Sequence, residues 1–563
     1  MSTVRRAFFY ILTLITLCIL AAGLVNLLSL SLDTITASFK LAKIGDIKQQ
    51  LSLGIAMLVI GGPLWYLFWS IIQRHVSGSA RETGSAMRAF FLNFVLIVSA
   101  FVTTFTLNML LRWMLDGFRP DQFSPEITAS LIVFAAIWYY HWRISGGEGQ
   151  ISAAAKTFHR WYVYILSASG LVWLAIGLVQ IVNSAFVSLP IWENDIVRNS
   201  FWNSGARNNL SWILVGGLVW ALHWFYMARG DIKSSLRQVY FYLFTILGGA
   251  VSGLVAITAT IYKILYWLLG GGKDIAGYFQ FLGWSIPIML IAAFIWLYHI
   301  RIAEEEAASE QEHQLSAKRV HYYLMSFIGL GTLVAGLIIM LGIPLDWLVN
   351  SFKAAGVVVE PEWWTNQLSL CISMVAVSVP IWLYYWSRVI DMADTGGIIE
   401  WRARSRRIYL YVIIGASVIM LAADLVNIIY QVLNGLLTGS FGVEALRNAK
   451  WSLQTVFIAI PVLVYHLRIA RLDQRLGAET AAVHKNVTIL LSDNKSPVVS
   501  LLEEKLGYKV RVIQYAGQSA YSVPQLSDQQ VDQIASGIRT STASNIMLVL
   551  IEGNIMVLPY EEG

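Results

Sequence analysis

The sequence is poor in charge. Asp, Glu, Lys and Arg make up 13% of its 563 residues, against 57% hydrophobic residues. Soluble globular chains carry roughly 25% charged residues. A soluble globular protein is therefore excluded, and the long apolar runs mark a polytopic membrane protein. Cysteine is nearly absent: Cys18 and Cys371 both fall inside apolar runs. That excludes a disulfide framework and leaves two free thiols expected to be buried. Catalytic signatures are missing too. There is no HExxH, GxSxG, Walker A or CxxCH motif and no zinc-spaced cysteine set, so no motif points to an enzyme. No cleavable leader is expected. Arg5 and Arg6 precede an apolar run too long for a signal core and without an A-x-A site, so that run reads as a retained first span. The net charge of +6 is explained by basic residues at helix ends, and no nucleic-acid partner is expected.

What is present is repetition. Trp138-Tyr-Tyr-His141-Trp-Arg143 closes an apolar run and recurs as Trp220-Ala-Leu-His223, Trp296-Leu-Tyr-His299-Ile-Arg301, Trp382-Leu-Tyr-Tyr385 and Leu463-Val-Tyr-His466-Leu-Arg468, with a weaker copy at Trp65-Tyr-Leu-Phe68. Each is preceded by a run opening on Arg and aromatics, at Arg6, Arg88, Arg160, Arg237, Arg319 and Arg407. A fixed period of this kind marks a repeated unit. Pro63, Pro380 and Pro461 take matching places in second helices, where a proline frees a carbonyl and can kink the helix.

Twelve spans are expected, near 7–29, 51–72, 89–111, 126–142, 161–184, 209–228, 238–262, 280–300, 320–343, 364–387, 408–433 and 451–467. Lys and Arg are in excess in the N-terminus, the even-numbered loops and the segment after the last span, so both termini are expected inside. The fold class is all-α polytopic membrane protein: twelve transmembrane helices as six parallel two-helix repeats, plus a small cytoplasmic α/β C-terminal domain. The repeat units are about 5–73, 88–143, 160–229, 237–301, 319–388 and 407–468, within a membrane domain 1–470. A basic linker, 471–485, leads to a soluble domain, 486–563, with the order β-α-β-α-β-β and its first two strands parallel. Parallel repeats differ from the inverted repeats of many secondary transporters. Six pairs can pack as an arc, a ring or three four-helix bundles.

Three sets of residues can carry function. His141, His223, His299 and His466 can ligate haem or a pigment. Equally, each can be an interfacial belt residue, as Tyr385 and Phe68 in the same slot suggest. Asn26, Asn108, Gln180 and Asn427 share one register in first helices. They can bond to neighbouring helices or line a polar cavity. Asp424 is an ionisable group inside a span, and so a candidate for cation binding or proton relay. It takes the slot held elsewhere by Gly23, Gly177, Gly253 and Gly336. Gly249-Ala-Val-Ser-Gly253 permits close helix approach. Lys263, Lys273 and Asp274 read as snorkelling groups at the outer end, and Glu304-Glu305-Glu306 as a solvated inner helix. Arg402, Arg404, Arg406 and Arg407 read as a topology anchor or a headgroup-binding patch. The loop Ser492–Ser496 reads as a capped turn before a helix or as an anion site.

The Arg-aromatic helix starts and Trp-x-x-His-x-Arg helix ends (Trp138, His141, Arg143; Trp296, His299, Arg301) resemble those of an uncharacterised family of bacterial multi-pass membrane proteins, a domain of unknown function. The resemblance covers about residues 5–468 and implies three four-helix copies and a bacterial inner membrane. It implies no activity and no site residues. The function expected is a membrane scaffold or binding component, in contact with the bilayer, whose domain 486–563 docks a soluble cytoplasmic partner. The alternatives are a transporter or channel with a polar site around Asp424, and a haem or pigment carrier.

Overall fold

The computed structural model describes residues 3–36, 44–148, 152–189, 201–232, 234–272, 275–307, 311–351, 363–401, 403–439, 442–483, 485–491, 497–506, 508–514, 528–541, 543–551 and 554–560. Lys273, Asp274, Arg402 and the loop Ser492–Ser496 lie outside the described residues.

The helices are α1 (Thr3–Thr36), α2 (Ile44–Ser77), α3 (Ala80–Thr83), α4 (Ala86–Leu115), α5 (Pro125–Glu148), α6 (Ala153–Val187), α7 (Ser204–Ala221), α8 (Ser235–Val239), α9 (Leu247–Leu268), α10 (Ile275–Phe279), α11 (Leu282–Ala307), α12 (Gln311–Ser351), α13 (Trp363–Trp401), α14 (Arg404–Thr438) and α15 (Val443–Val483). Two stretches, Leu222–Met227 after α7 and Tyr240–Ile246 between α8 and α9, are π-helical. Long apolar segments fold this way because in lipid the backbone must satisfy its own hydrogen bonds. Side chains cap several starts: Ser85 accepts from the Arg88 N–H, Ser152 from Ala155 and Asn203 from Ala206. Pro63, Pro380 and Pro461 all lie inside helices, as do Pro287 and Pro344.

Among the described residues, eleven helices are long and apolar enough to cross a membrane. α5 carries the fourth expected span but is not one of them. Glu126 at one end and Tyr139, Tyr140 and His141 at the other shorten its apolar stretch. Side chains such as Leu218, Val255, Leu290 and Phe294 are more than 60% exposed, an apolar surface suited to lipid.

Packing divides the chain into two units, 1–382 and 383–563. In the first, α1 lies along α2 and α6 along α7, while α4 packs on α5, α6 and α7, and α11 on α9 and α6. Its largest buried cluster includes Tyr162, Leu166, Trp224, Tyr240, Phe241, Ile246 and Ala303. Gly249 of the expected close-packing motif does its work within the chain: a Cβ there would stand 3.0 Å from the Ala292 carbonyl of α11.

In the second unit α14 packs along α15. Gly439 ends α14 with φ +68°, a left-handed cap that favours glycine. The expected linker 471–485 is largely helical, because α15 continues to Val483. The strands β1 (Asn486–Leu491), β2 (Arg511–Gln514), β3 (Asn545–Ile551) and β4 (Asn554–Tyr560) form one sheet in the order β2-β1-β3-β4. β1 runs parallel to β2 and to β3, and β4 runs antiparallel to β3. The helices α16 (Pro497–Leu506) and α17 (Asp528–Thr540) share one apolar core with the sheet, through Leu502, Val531, Ile538, Ile489, Ile546 and Leu548.

Candidate functional site

Five arginines at the helix starts are ion-paired, each to a carboxylate 60 to 76 residues further along the chain. Arg6 bonds Glu82 through two nitrogens at 2.8 Å, and fully buried Arg88 bonds Glu148. Arg160 meets Asp231 at 2.6 Å, Arg237 meets Glu306 at 2.6 Å and Arg406 meets Asp473 at 2.6 Å. Two expectations change here. Glu306 is not a freely solvated charge, because it holds Arg237. In the sixth unit the residue that bonds Asp473 is Arg406, next to the expected Arg407. The acids were legible only through register: Glu148, Glu306 and Asp473 each follow the helix-end histidine by about two helical turns. Outside the apolar helices, the Arg6 guanidinium holds the Glu82 carboxyl down at about 2.

Next to these pairs the histidines pack among aromatic rings. The Nδ1–H of His141, His223, His299 and His466 donates to the carbonyl four residues back, at 2.8 Å in every case. Nε2 of His223 lies 3.1 Å from the Tyr162 hydroxyl, and that of His299 3.5 Å from Tyr240. The His141 ring sits 5.8 Å from Trp69 and 6.1 Å from Phe91. The His466 ring sits 5.8 Å from Trp386 and 6.0 Å from Tyr409. Each imidazole has its own aromatic surroundings. Among the described residues no three His, Cys, Asp or Glu side chains group as a metal site.

The amides divide. Asn108 Nδ2 donates to Ser211 Oγ at 2.9 Å, tying α4 to α7, and Asn427 Nδ2 donates to Ser452 Oγ at 2.9 Å, tying α14 to α15. Asn26 and Gln180 line cavities. Asp424 is half-buried in α14, and no hydrogen bond or ion pair joins it to another described residue. It occupies the register at which Gly23 and Gly336 press on their partner helices, where an added Cβ would stand 2.9 Å from Met57 and 3.1 Å from Met374.

The two cavities are repeat equivalents. One, of about 930 Å³, lies among α1, α2, α4 and α5. The other, of about 860 Å³, lies among α6, α9, α11 and the π-helical turn before α9. Leu17, Cys18, Ala21, Ala22, Val25 and Asn26 line the first at the same distances from Arg6 as Leu171, Val172, Ala175, Ile176, Val179 and Gln180 line the second from Arg160. Glu126, Ser130, Phe134 and Ile137 of α5 correspond in the same way to Trp284, Ile288, Ala292 and Ile295 of α11, counted from His141 and His299. Phe94, Val98 and Val102 of α4 correspond to Phe244, Gly248 and Ser252, displaced by the one extra residue that a π turn inserts. The four histidines line neither cavity. Gln50, Glu126 and Lys263, which do, escape a reading by span composition, because only packing brings them to the wall.

No curated protein and no solved structure matches the chain. A family model, "Domain of unknown function (DUF5671)", matches three times, over residues 6–127, 160–282 and 319–449. Each match begins at or next to an opening arginine, Arg6, Arg160 or Arg319, and takes in two helix pairs up to the start of the last helix. The matches span more than half the sequence and share the period of the ion pairs, the aromatic clusters and the cavities. The chain belongs to the DUF5671 family, a domain of unknown function that it carries in three copies.

Proposed function

We propose that this protein is an integral membrane binding component that takes apolar or amphipathic small molecules in the cavities of its first two copies. The observation that carries the reading is the recurrence of one cavity at the same register in both, each with an amide, Asn26 or Gln180, in its wall. Mainly apolar pockets of roughly 300–1,000 Å³ with a few polar groups are the usual form of small-molecule sites. In this reading α5, packed on α4 and α1, is the twelfth span. The chain lies in a bacterial inner membrane with both termini inside, on the distribution of Lys and Arg. The domain 486–563 docks a soluble cytoplasmic partner. Native mass spectrometry of the protein released from nanodiscs tests the central claim. Bound small molecules are expected, with occupancy reduced in an Asn26→Leu, Gln180→Leu double variant; a protein that carries none, and is indifferent to both substitutions, removes the reading.

A second reading, transport of a small solute or ion, is favoured by Asp424 alone, an acid in a span with no partner among the described residues. Asp424→Asn is then expected to change flux, or its pH dependence, in proteoliposomes. Unchanged flux takes Asp424 out of the proposal.

A further inference from the structure

Among the described residues, the cavity of the second copy has a single charged group in its wall, Lys263. It stands near the end of α9 remote from Arg237. Its Nζ lies 4.8 Å from the centre of the Tyr278 ring and 5.9 Å from that of Phe281, which also lines the cavity. No ion pair joins Lys263 to another described residue. Ring faces offset part of the cost of holding an ammonium at an apolar wall, and they leave its donors available to an anion.

The shape is as informative as the charge. Wall residues follow one another along the helix from Phe244 to Lys263, a rise of about 28 Å at 1.5 Å per residue. Gln180, Thr245, Ser252 and Ser285 are the uncharged polar groups in the wall, and the rest is apolar. The first copy's cavity carries instead the acid Glu126, where the second has Trp284. The two copies thus carry opposite charges in cavities whose first-helix and last-helix walls correspond.

We propose that the second copy's cavity binds an anionic amphiphile: a long alkyl chain lying among α6, α9 and α11, with a carboxylate or lipid-phosphate head on Lys263. This rests on the binding reading above and names its ligand class. The head makes a charge-assisted hydrogen bond in a place of low dielectric, and the chain removes the wall from water or mismatched lipid.

The test uses the full chain in phosphatidylcholine nanodiscs, with cis-parinaric acid as fluorescent probe and its methyl ester as the neutral control. The acid is expected to bind more tightly than the ester. Lys263→Gln should weaken the acid about tenfold and leave the ester unchanged, while Lys263→Arg keeps the acid's affinity. Replacing part of the lipid by phosphatidylglycerol distinguishes the sources: displacement of the probe identifies a lipid phosphate as occupant, and persistence identifies a free carboxylate. A second variant, Gly248→Leu, fills the cavity, because a Cβ at Gly248 meets nothing within 4 Å. It should weaken acid and ester together. If Gly248→Leu weakens both but Lys263→Gln spares the acid, the anion claim is overturned and the cavity stands. If neither probe binds, or Gly248→Leu changes neither, the cavity is no ligand site and the binding reading falls for this copy.

Discussion

The Trp224 indole donates a 2.9 Å hydrogen bond to the Tyr298 hydroxyl, across the gap between the π turn that follows α7 and the end of α11. The bond recurs at the same register as Trp69 to Tyr140 and as Trp386 to Tyr465, both at 2.6 Å. In each case the next residue after the tyrosine is a helix-end histidine, and its ring lies 5.7 to 5.8 Å from that tryptophan. Three copies have kept one bond between their second and fourth helices. It joins the two pairs of a copy, as the Arg–carboxylate bridges join the two helices of a pair.

Trp224→Phe keeps a smaller aromatic ring and removes the donor. The half-buried Tyr298 hydroxyl then loses its donor, at a cost of about 0.5–1.5 kcal/mol. A fall of that order is expected in unfolding free energy measured by denaturant titration in mixed micelles. Trp142→Phe is the control: Trp142 is 37% exposed, so its change should stay within about 0.5 kcal/mol.

Close helix approach gives a second expectation. A Cβ on Gly170 would stand 2.5 Å from the Trp220 backbone nitrogen, and one on Gly216 would stand 2.6 Å from that of Leu174. Backbone cannot yield as a side chain can, so Gly170→Ala forces α6 and α7 apart. The expected loss is about 1–3 kcal/mol, as for overpacking. Gly217→Ala on the same helix meets only Leu174 Cδ1 at 3.8 Å and should be neutral or slightly stabilising. Thermal unfolding of the two variants, followed by circular dichroism, separates them.

The Arg6–Glu82 bridge carries a pH dependence. Glu82 titrates at about 2 in the fold against 4.5 for its ordinary value, lowered by Arg6. A depressed carboxyl stabilises the fold above its unfolded value and loses that contribution as pH falls. The contribution is therefore complete above about pH 4.5 and gone below about pH 2. Glu82→Gln should lower stability at pH 7 and reduce the decline seen on acidification from pH 5 to 2. A variant whose acid limb matches the parent's would show that the bridge contributes nothing in solution.

Much of the fold was legible because lipid leaves the backbone few choices. Apolar runs must become helices, so helix positions followed from composition. The repeat was legible because opening arginines and aromatic-histidine ends return in register. The strands and helices of the C-terminal domain follow the expected order, β-α-β-α-β-β. α5 was harder to read: its polar and aromatic ends are long relative to its apolar middle, and composition alone sets it apart from the other helices. The ion pairs were missed in sequence because their partners lie 60 to 76 residues apart. Spacing of that kind carries no local signal.

The candidate site divides in the same way. Sequence singled out one register, and the structure sent its members to different tasks. Asn108 and Asn427 tie helices, while Asn26 and Gln180 face cavities. Side-chain type cannot make that distinction, because an amide serves equally as interhelical glue and as cavity wall. Which it becomes depends on whether a hydroxyl such as Ser211 or Ser452 stands opposite.

By itself the sequence determined that this is a multi-pass membrane protein with a threefold internal repeat and a small C-terminal region of sheet. Those properties follow from local hydropathy and from periodicity, which need no knowledge of distant contacts. Only the tertiary structure shows that five arginines are bridged, that four histidines lie among aromatic rings, and that the cavities of two copies carry opposite charges, Glu126 and Lys263. Cavities are made by what fails to fill a gap between helices, and a gap is a property of several segments at once.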